Sequence, residues 1–519
     1  MGTVSCEECF DEEADQATGK VRGSLWALLP PIIAIGLALI TKEVYSSLFI
    51  GMVSGAIIYS NFSFTGSVDS VTDALSGAVA GTAGIFVFLV QLGIIVALIN
   101  KAGGSAAFGN WAKTHIKTKV GAMFATFFLG VLIFVDDYFN CLTVGSVMRP
   151  VTDGKKVSRA KLAYLIDATA APICMIAPIS SWAAAVSGYL DTESPLMTFI
   201  KTIPYNFYSL LTIVFIVTIV LMKFDYGPMK LHEYNAEHNG DLYTSGDKNE
   251  AVEVVPSTKG KVIDLVFPII TLIVSCVAAL VYVGFQMDPE ADGIFGAFSA
   301  TDATIALPWG GIIALVIIVA YMLVRRVMSF KESMDCIPKG FIAMVPAILI
   351  LTLATALKDM TSGLGAKYIV HSLLVNAGGL LSFLPAIIFV VACILSFATG
   401  TSWGTFGILI PIVLAVFPDN PTLQIIGMSA CLAGSVCGDH CSPISDTTIM
   451  SSAGSQCNHL NHVATQLPYA LTVAAISGVM FLVAGFVQNA WICLPIGIVL
   501  TVATLFVIKM ITNKKKQEN

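Results

Sequence analysis

The run "GDHCSPISDTT", residues 438 to 448, places Asp439, His440, Cys441, Ser442, Ser445, Asp446, Thr447 and Thr448 in one short stretch with no Lys or Arg in it. Three more polar runs interrupt apolar sequence: "VDDYFNCLTVGSV" from Val135, "DATAAPICMIAPISSW" from Asp167 and "ATGTSWGTF" from Ala398. Carboxylates, hydroxyls and backbone freed by Gly and Pro are the oxygen ligands that a small hard cation selects. The adjacent acids Asp136 and Asp137 add proton chemistry, because desolvation and like-charge proximity both favour a carboxyl that holds a proton. A group able to hold either a proton or a metal ion couples the two by competition, which is the minimal mechanism of an antiporter.

The surrounding chain dictates where that chemistry happens. Of the 519 residues, 56% are hydrophobic and only 12% charged, and the mean hydropathy is +0.82. A soluble globule of this size needs far more polar surface. Apolar stretches long enough to cross about 30 Å of hydrocarbon recur from 24–40 through 45–60, 77–99, 120–135, 160–190, 205–223, 263–286, 308–324, 341–357, 384–398, 404–417, 423–437 and 468–487 to 490–511, some of them half-helices. The sequence therefore predicts an all-α, multi-pass protein of the cell membrane. An Asp at the bilayer centre costs about 3 kcal/mol, so Asp136, Asp137, Asp167, Asp439 and Asp446 require a cation, a proton or a hydrogen bond.

The placement of Lys and Arg sets orientation. Segments 101–119, 149–161, 223–261, 325–339 and 509–516 are basic and are read as cytoplasmic; segments 61–76 and 287–307 carry acids without Lys or Arg and are read as exterior. The scheme puts the N-terminus outside, against the pull of Lys20 and Arg22. The predicted organisation is an acidic tail over 1–23, a first membrane repeat over 24–224, a flexible cytoplasmic linker over 225–262, a second repeat over 263–488, and an extra helix with a basic tail over 489–519. A shift of 264 residues carries the span near 77 to that near 341, the break at 135 to that at 399, and the span near 205 to that near 469. The charge pattern runs the two halves in opposite directions, as inverted repeats do, with a site between broken helices at the midplane.

Other readings compete. Cys437, His440, Cys441, Cys457, His459 and His462 are ligand types for zinc or copper, but their spacing matches no compact tetrahedral site. Cys6 and Cys9 form a lone C-x-x-C. Tyr138, Trp182 and Trp403 could wall a pocket for a small organic solute, or anchor the interface. No G-x-x-x-x-G-K-[ST] loop is present, which argues against ATP-driven pumping, and no enzyme motif or nucleic-acid partner is expected.

"TGTSWGTF" (399–406) followed by "GDHCSPISDTT", together with "DDYFN" (136–140), "MRPVTD" (148–153), "AYLIDATAAP" (163–172) and "HVATQLPYA" (462–470), resembles the motif series of the NhaC-type Na+/H+ antiporter family, in its longer-member subgroup. The resemblance covers about 77 to 511. It implies an inverted-repeat, sodium-coupled carrier with no cofactor, whose partners are Na+, H+ and the lipid bilayer, with a homodimer compatible. Carried over by motif, Thr399, Thr401, Ser402, Asp439, Ser442, Ser445, Asp446 and Thr447 are candidates for the second-half site, and Asp136, Asp137, Asn140, Asp167 and Thr169 for the first. His440 and Cys441 depart from the "GDKLSPLSDTT" of shorter members, which keeps open a Na+-driven carrier of an amino acid or a hydroxy or dicarboxylic acid.

Overall fold

The computed structural model describes residues 25–41, 43–190, 194–244, 259–289, 291, 293–365, 378–417, 420–443 and 445–518. The tail over 1–23, with Cys6 and Cys9, lies outside them. The described residues are helical with no strand among them, and seven helices are long and apolar enough to cross a membrane, or nine if each bent pair counts as one span. Large apolar side chains such as Val316, Trp491 and Val499 are exposed on the outer helices, as expected where the solvent is hydrocarbon.

Each polar run of the sequence ends a helix. Helix Lys119–Leu132 stops before 133–136 and resumes as Asp137–Asp153; Leu384–Thr399 stops at Gly400, in the left-handed conformation, and resumes as Ser402–Val416. The stretch read as one span over 160–190 is broken into Arg159–Asp167, Ala171–Cys174 and Ser181–Ser187, and Pro421–Cys441 gives way at 442–445 to Asp446–Ser455. The restarts are capped by hydroxyls: Ser180, Thr401 and Ser445 accept from the backbone N–H of Ala183, Gly404 and Thr448. These are the side chains best suited to satisfying a helix's first free donors.

Two of the four broken elements are hairpins that dip in and return. Lys119, which opens the first, donates to Glu237 at 3.1 Å, and Lys156, just past its end, donates to the Glu237 carbonyl at 3.2 Å. Both ends therefore lie on one face, with 133–136 at the tip. In the second, helix Leu384–Thr399 runs parallel to Pro421–Cys441, with Gly434 against Phe389, Gly438 against Cys393 and Ser442 against Phe397. Its return arm ends beside the start of that neighbour, where Gln424 donates to Leu414 O at 3.3 Å. Its entry face is opposite. Helix His459–Val487 begins near Ser455, which Arg159 binds on the basic face, and its far end packs Gly485 against Ser382 beside the second hairpin's start.

The sequence reading changes in two further places. The acidic segment 61–76 is no loop. Ser63 caps a helix, Phe64–Ala102, that carries exposed Asp69 and Asp73 before its apolar part begins. The first part of the 225–262 linker is also folded, as helix Pro228–Tyr234 and a wider turn over Asn235–Asn239. Glu233 explains why: it accepts from the Ser158 N–H at 2.8 Å and pairs with Lys119 at 2.9 Å, fixing this segment beneath the first hairpin.

Candidate ion-binding site

The two hairpin tips and the two interrupted crossing helices meet in the interior. In the first half Asn140 joins them. Its amide nitrogen donates to Gly130 O at 2.7 Å, Thr169 O at 3.0 Å and Ile133 O at 3.2 Å, tying carbonyls of the hairpin to one of the crossing break. The Ser181 N–H adds a bond to Val135 O at 3.0 Å, and its hydroxyl reaches Asp136 Oδ2 at 3.5 Å. Thr169 turns its own hydroxyl to Leu165 O, so its part in the site is its backbone carbonyl.

The second half uses hydroxyls where the first uses an amide. Ser402 donates to Asp439 Oδ2 at 2.7 Å and lies 3.1 Å from Ser435 O; Ser442 donates to Phe397 O at 2.8 Å. The triplets Ser180-Ser181-Trp182 and Thr401-Ser402-Trp403 play matching parts: a cap, a hydroxyl on an Asp, and a tryptophan. The two indoles pack edge to face across the halves, 5.7 Å between centroids.

The carboxylates are buried: Asp136, Asp137 and Asp167 at 1–2% exposure and Asp439 at 4%. Asp137 interacts electrostatically with both Asp136 and Asp439, so first-half and second-half acids share one region. Its Oδ1 is buried without a close donor, and the Trp182 indole N–H faces the carboxylate. Asp167 is differently supplied. Its Oδ2 accepts from Gln466 at 2.9 Å and Thr448 at 3.0 Å, both from the second half, and His462 Nε2 is 3.8 Å away.

The remaining candidates divide. Thr447 lies beside Asp167, and its carbonyl meets the Cys141 thiol at 3.7 Å. Ser445 bonds the Thr447 hydroxyl at 3.0 Å and caps its helix. Asp446 begins that helix, and its side chain is outside the described set. Thr399 bonds back to Leu395 O and Thr401 caps a helix, so these two serve the backbone.

The Cys and His cluster does not converge. Among the described residues, no group of three or more His, Cys, Asp or Glu is set to hold a metal ion. His440 is clamped through Nδ1 to the Tyr208 hydroxyl at 2.7 Å and stacks on Tyr164, while Cys437 and Cys441 pair with each other, and Cys457 lies on the Arg159 side. His459 and His462 both turn to Ser452. Sequence reasoning missed Gln466, Thr448 and Ser181. The signal was present for Gln466, an amide inside an apolar span, where a polar side chain needs a partner.

Opposed re-entrant hairpins around buried acids and unwound backbone, within a shell of lipid-facing helices, define a multi-pass secondary transporter of the cell membrane. The chain belongs to the Na+/H+ antiporter family, whose model matches residues 187–486. A Haemophilus influenzae protein of unassigned function is 36% identical over 509 residues, 94% of this chain and 96% of that one. The Bacillus subtilis malate-2H(+)/Na(+)-lactate antiporter is 30% identical over 32% of this chain and 35% of its own. The crystal structure of the Alcanivorax borkumensis YdaH transporter shares the fold, with a TM-score of 0.55 over 89% of this chain and 100% of that chain at 14% identity.

Proposed function

We propose that the chain exchanges Na+ for H+ across the cytoplasmic membrane, with Na+ held where the Asp137 and Asp439 carboxylates approach and the proton carried by Asp167. The two halves are repeats over 24–224 and 263–488 that rock about this region to expose it to either side. One observation carries the reading: two further acids, Asp136 and Asp439, act on the buried Asp137 carboxylate, whose Oδ1 has no close donor and which the Trp182 indole N–H faces. Like charges so placed inside a membrane protein require a cation between them or a proton on one. Ser402, bonded to Asp439, and the carbonyls gathered by Asn140 are the neutral oxygens that would complete a sodium shell. Asp167 already has Thr448 and Gln466 as donors and a histidine nearby, which suits a group that trades a proton rather than a metal.

The test is reconstitution in liposomes carrying a pH-sensitive dye. Na+ added alone should collapse an imposed proton gradient, K+ should not, and Asp137→Asn should abolish the response. A wild-type protein indifferent to Na+ would overturn the reading.

A second reading, a Na+-driven carrier of a small organic solute, is favoured by Trp182 and Trp403. Their indole N–H groups are buried, that of Trp182 facing the Asp137 carboxylate, and Phe406 packs on both rings. The Bacillus subtilis relative's name includes lactate and malate. If gradient collapse by Na+ appears only when amino or hydroxy acids are added, this second reading replaces the first.

A further inference from the structure

A line of hydrogen-bonding groups leads from Asp167 to His459, and the chemistry of its last member sets a consistent direction for the links. His459 Nε2 faces the Pro443 carbonyl at 2.6 Å, at an exposed position. A carbonyl only accepts, so this nitrogen carries hydrogen, and in the neutral ring Nδ1 is bare. That bare nitrogen, 3.1 Å from Ser452 Oγ, is one acceptor for the serine's hydrogen, Thr448 O at 2.8 Å being the other. The Ser452 oxygen is then the acceptor for His462 Nδ1 at 2.8 Å, so His462 carries its hydrogen there and leaves Nε2 bare. Bare Nε2 lies 3.8 Å from Asp167 Oδ2, within one small rotation or one bridging water of it. His462 is fully buried, and Gln466 also acts on this ring beside Asp167.

We propose that Asp167, His462, Ser452 and His459 form a proton relay between the central site and the basic, cytoplasmic face, resting on the reading of Asp167 as the proton carrier. An outward proton leaves Asp167 for His462 Nε2 as His462 Nδ1 gives its own to Ser452. Ser452 passes its hydrogen to His459 Nδ1, and His459 releases the Nε2 hydrogen to water. One proton leaves Asp167 and one reaches water: Asp167 ends as the carboxylate, and both imidazoles end neutral in the other tautomer, with the Ser452 hydrogen toward His462 Nδ1. The inward journey reverses these steps from that state: a proton taken up on His459 Nε2 sends the Nδ1 hydrogen to Ser452 Oγ as the hydroxyl hydrogen passes to His462 Nδ1, and His462 Nε2 returns its own to Asp167. The groups facing the relay are few. Asp167, His440 and His459 act on His462, Gln466 bridges Asp167 to His440 O, and Arg159 binds Ser455 O at the open end. The side is cytoplasmic because Arg159 and Lys156 belong to the basic segment that the positive-inside rule assigns there.

The relay separates two modes of exchange. Exchange of 22Na+ for unlabelled Na+ at equal pH moves no net proton, whereas Na+/H+ exchange requires one per cycle. In liposomes His459→Gln and Ser452→Ala should each slow Na+-driven proton flux at least tenfold while 22Na+/Na+ exchange stays within twofold of wild type. Imidazole in the cytoplasmic-side buffer should restore flux to His459→Gly. Variants with undiminished proton flux, or with both modes lost together, would overturn the relay. Failure of the Na+/H+ reading itself would show instead in the wild-type protein, as absence of any Na+-driven proton flux.

Discussion

Gly145 and Gly454 meet backbone to backbone where the return arm of the first hairpin crosses helix Asp446–Ser455. A Cβ added to Gly145 would lie 2.5 Å from the Gly454 carbonyl carbon, and one on Gly454 would lie 2.6 Å from Cys141 O. Neither obstacle is a flexible side chain, so the helices would have to part. Overpacking of this kind costs about 1–3 kcal/mol. Gly145→Ala and Gly454→Ala should each lower the thermal unfolding midpoint in detergent and slow transport, because Thr447 and Thr448 ride on the displaced helix. An unchanged midpoint and rate would show that the crossing is loose.

Asp136 and Asp137 are neighbours in sequence with different surroundings. Asp136 precedes the helix and is approached by the Ser181 hydroxyl; Asp137 opens the helix, interacts with Asp439 and faces the Trp182 indole N–H. Asp137→Asn should abolish Na+-dependent transport, and Asp136→Asn should leave a measurable fraction of it. Equal losses in a 22Na+ uptake assay would contradict this division of roles.

The four breaks were legible in the sequence because Gly, Pro and hydroxyls inside apolar runs can be neither lipid-facing helix nor surface loop. Asp136, Asp137 and Asp439 stood out because buried acids need partners, and Asn140 through the motif "DDYFN". Partners more than 250 positions away were not legible: nothing local in "HVATQLPYA" says that Gln466 meets Asp167. The same holds for depth. A hairpin such as Lys119–Asp153 and a full crossing have similar hydropathy, and only the meeting of both its ends at Glu237 separates them. Thr399 and Thr401 have a site's composition but spend their hydroxyls on the backbone, a distinction that spacing does not carry.

Asn140 offers a test of the first-half architecture. Its amide holds three buried carbonyls from two separate breaks. Asn140→Leu keeps the volume and removes the donors, leaving those carbonyls unsatisfied at about 1–3 kcal/mol each before relaxation. A lowered unfolding midpoint with sodium affinity reduced at least tenfold is expected, read by 22Na+ binding. Asn140→Asp should not rescue it, since a carboxylate has no hydrogen to give. Rescue by Asp would point to charge as the property that matters.

Glu237 gives a pH dependence whose sign can be worked out. The hydrogen bond and charge of Lys119 hold its carboxyl below the ordinary 4.5. A depressed carboxyl contributes stability that is complete above its unfolded value and is lost as pH falls through the folded one. The side chain is 59% exposed, so the contribution is about 0.5 kcal/mol after solvent screening. The unfolding midpoint of Glu237→Gln should therefore lie slightly below wild type at pH 7 and coincide with it at acid pH below the depressed value. A gap that persists in acid would assign the effect to packing.

Lys161 and Asp225 form the most enclosed ion pair at the basic face. Their Nζ–Oδ1 distance is 2.5 Å, with the two side chains 1% and 17% exposed. The Tyr469 hydroxyl donates to the same carboxylate oxygen at 2.5 Å, and the ammonium sits 5.1 Å from that ring and 5.8 Å from the Tyr164 ring. The pair thus fastens the chain leaving helix Phe207–Met222 to the start of Arg159–Asp167 and to helix His459–Val487. Removing one member strands the other charge, which costs about 3–5 kcal/mol, whereas replacing both with apolar groups of similar size is often neutral or better. Lys161→Met alone and Asp225→Leu alone should each destabilise strongly, and the double variant should recover most of the loss in a detergent unfolding assay. If the pair also latches the cytoplasmic entrance, the recovered double variant will transport at a rate different from wild type despite its restored stability. Additive single losses in the unfolding assay would show that the two charges do not depend on each other.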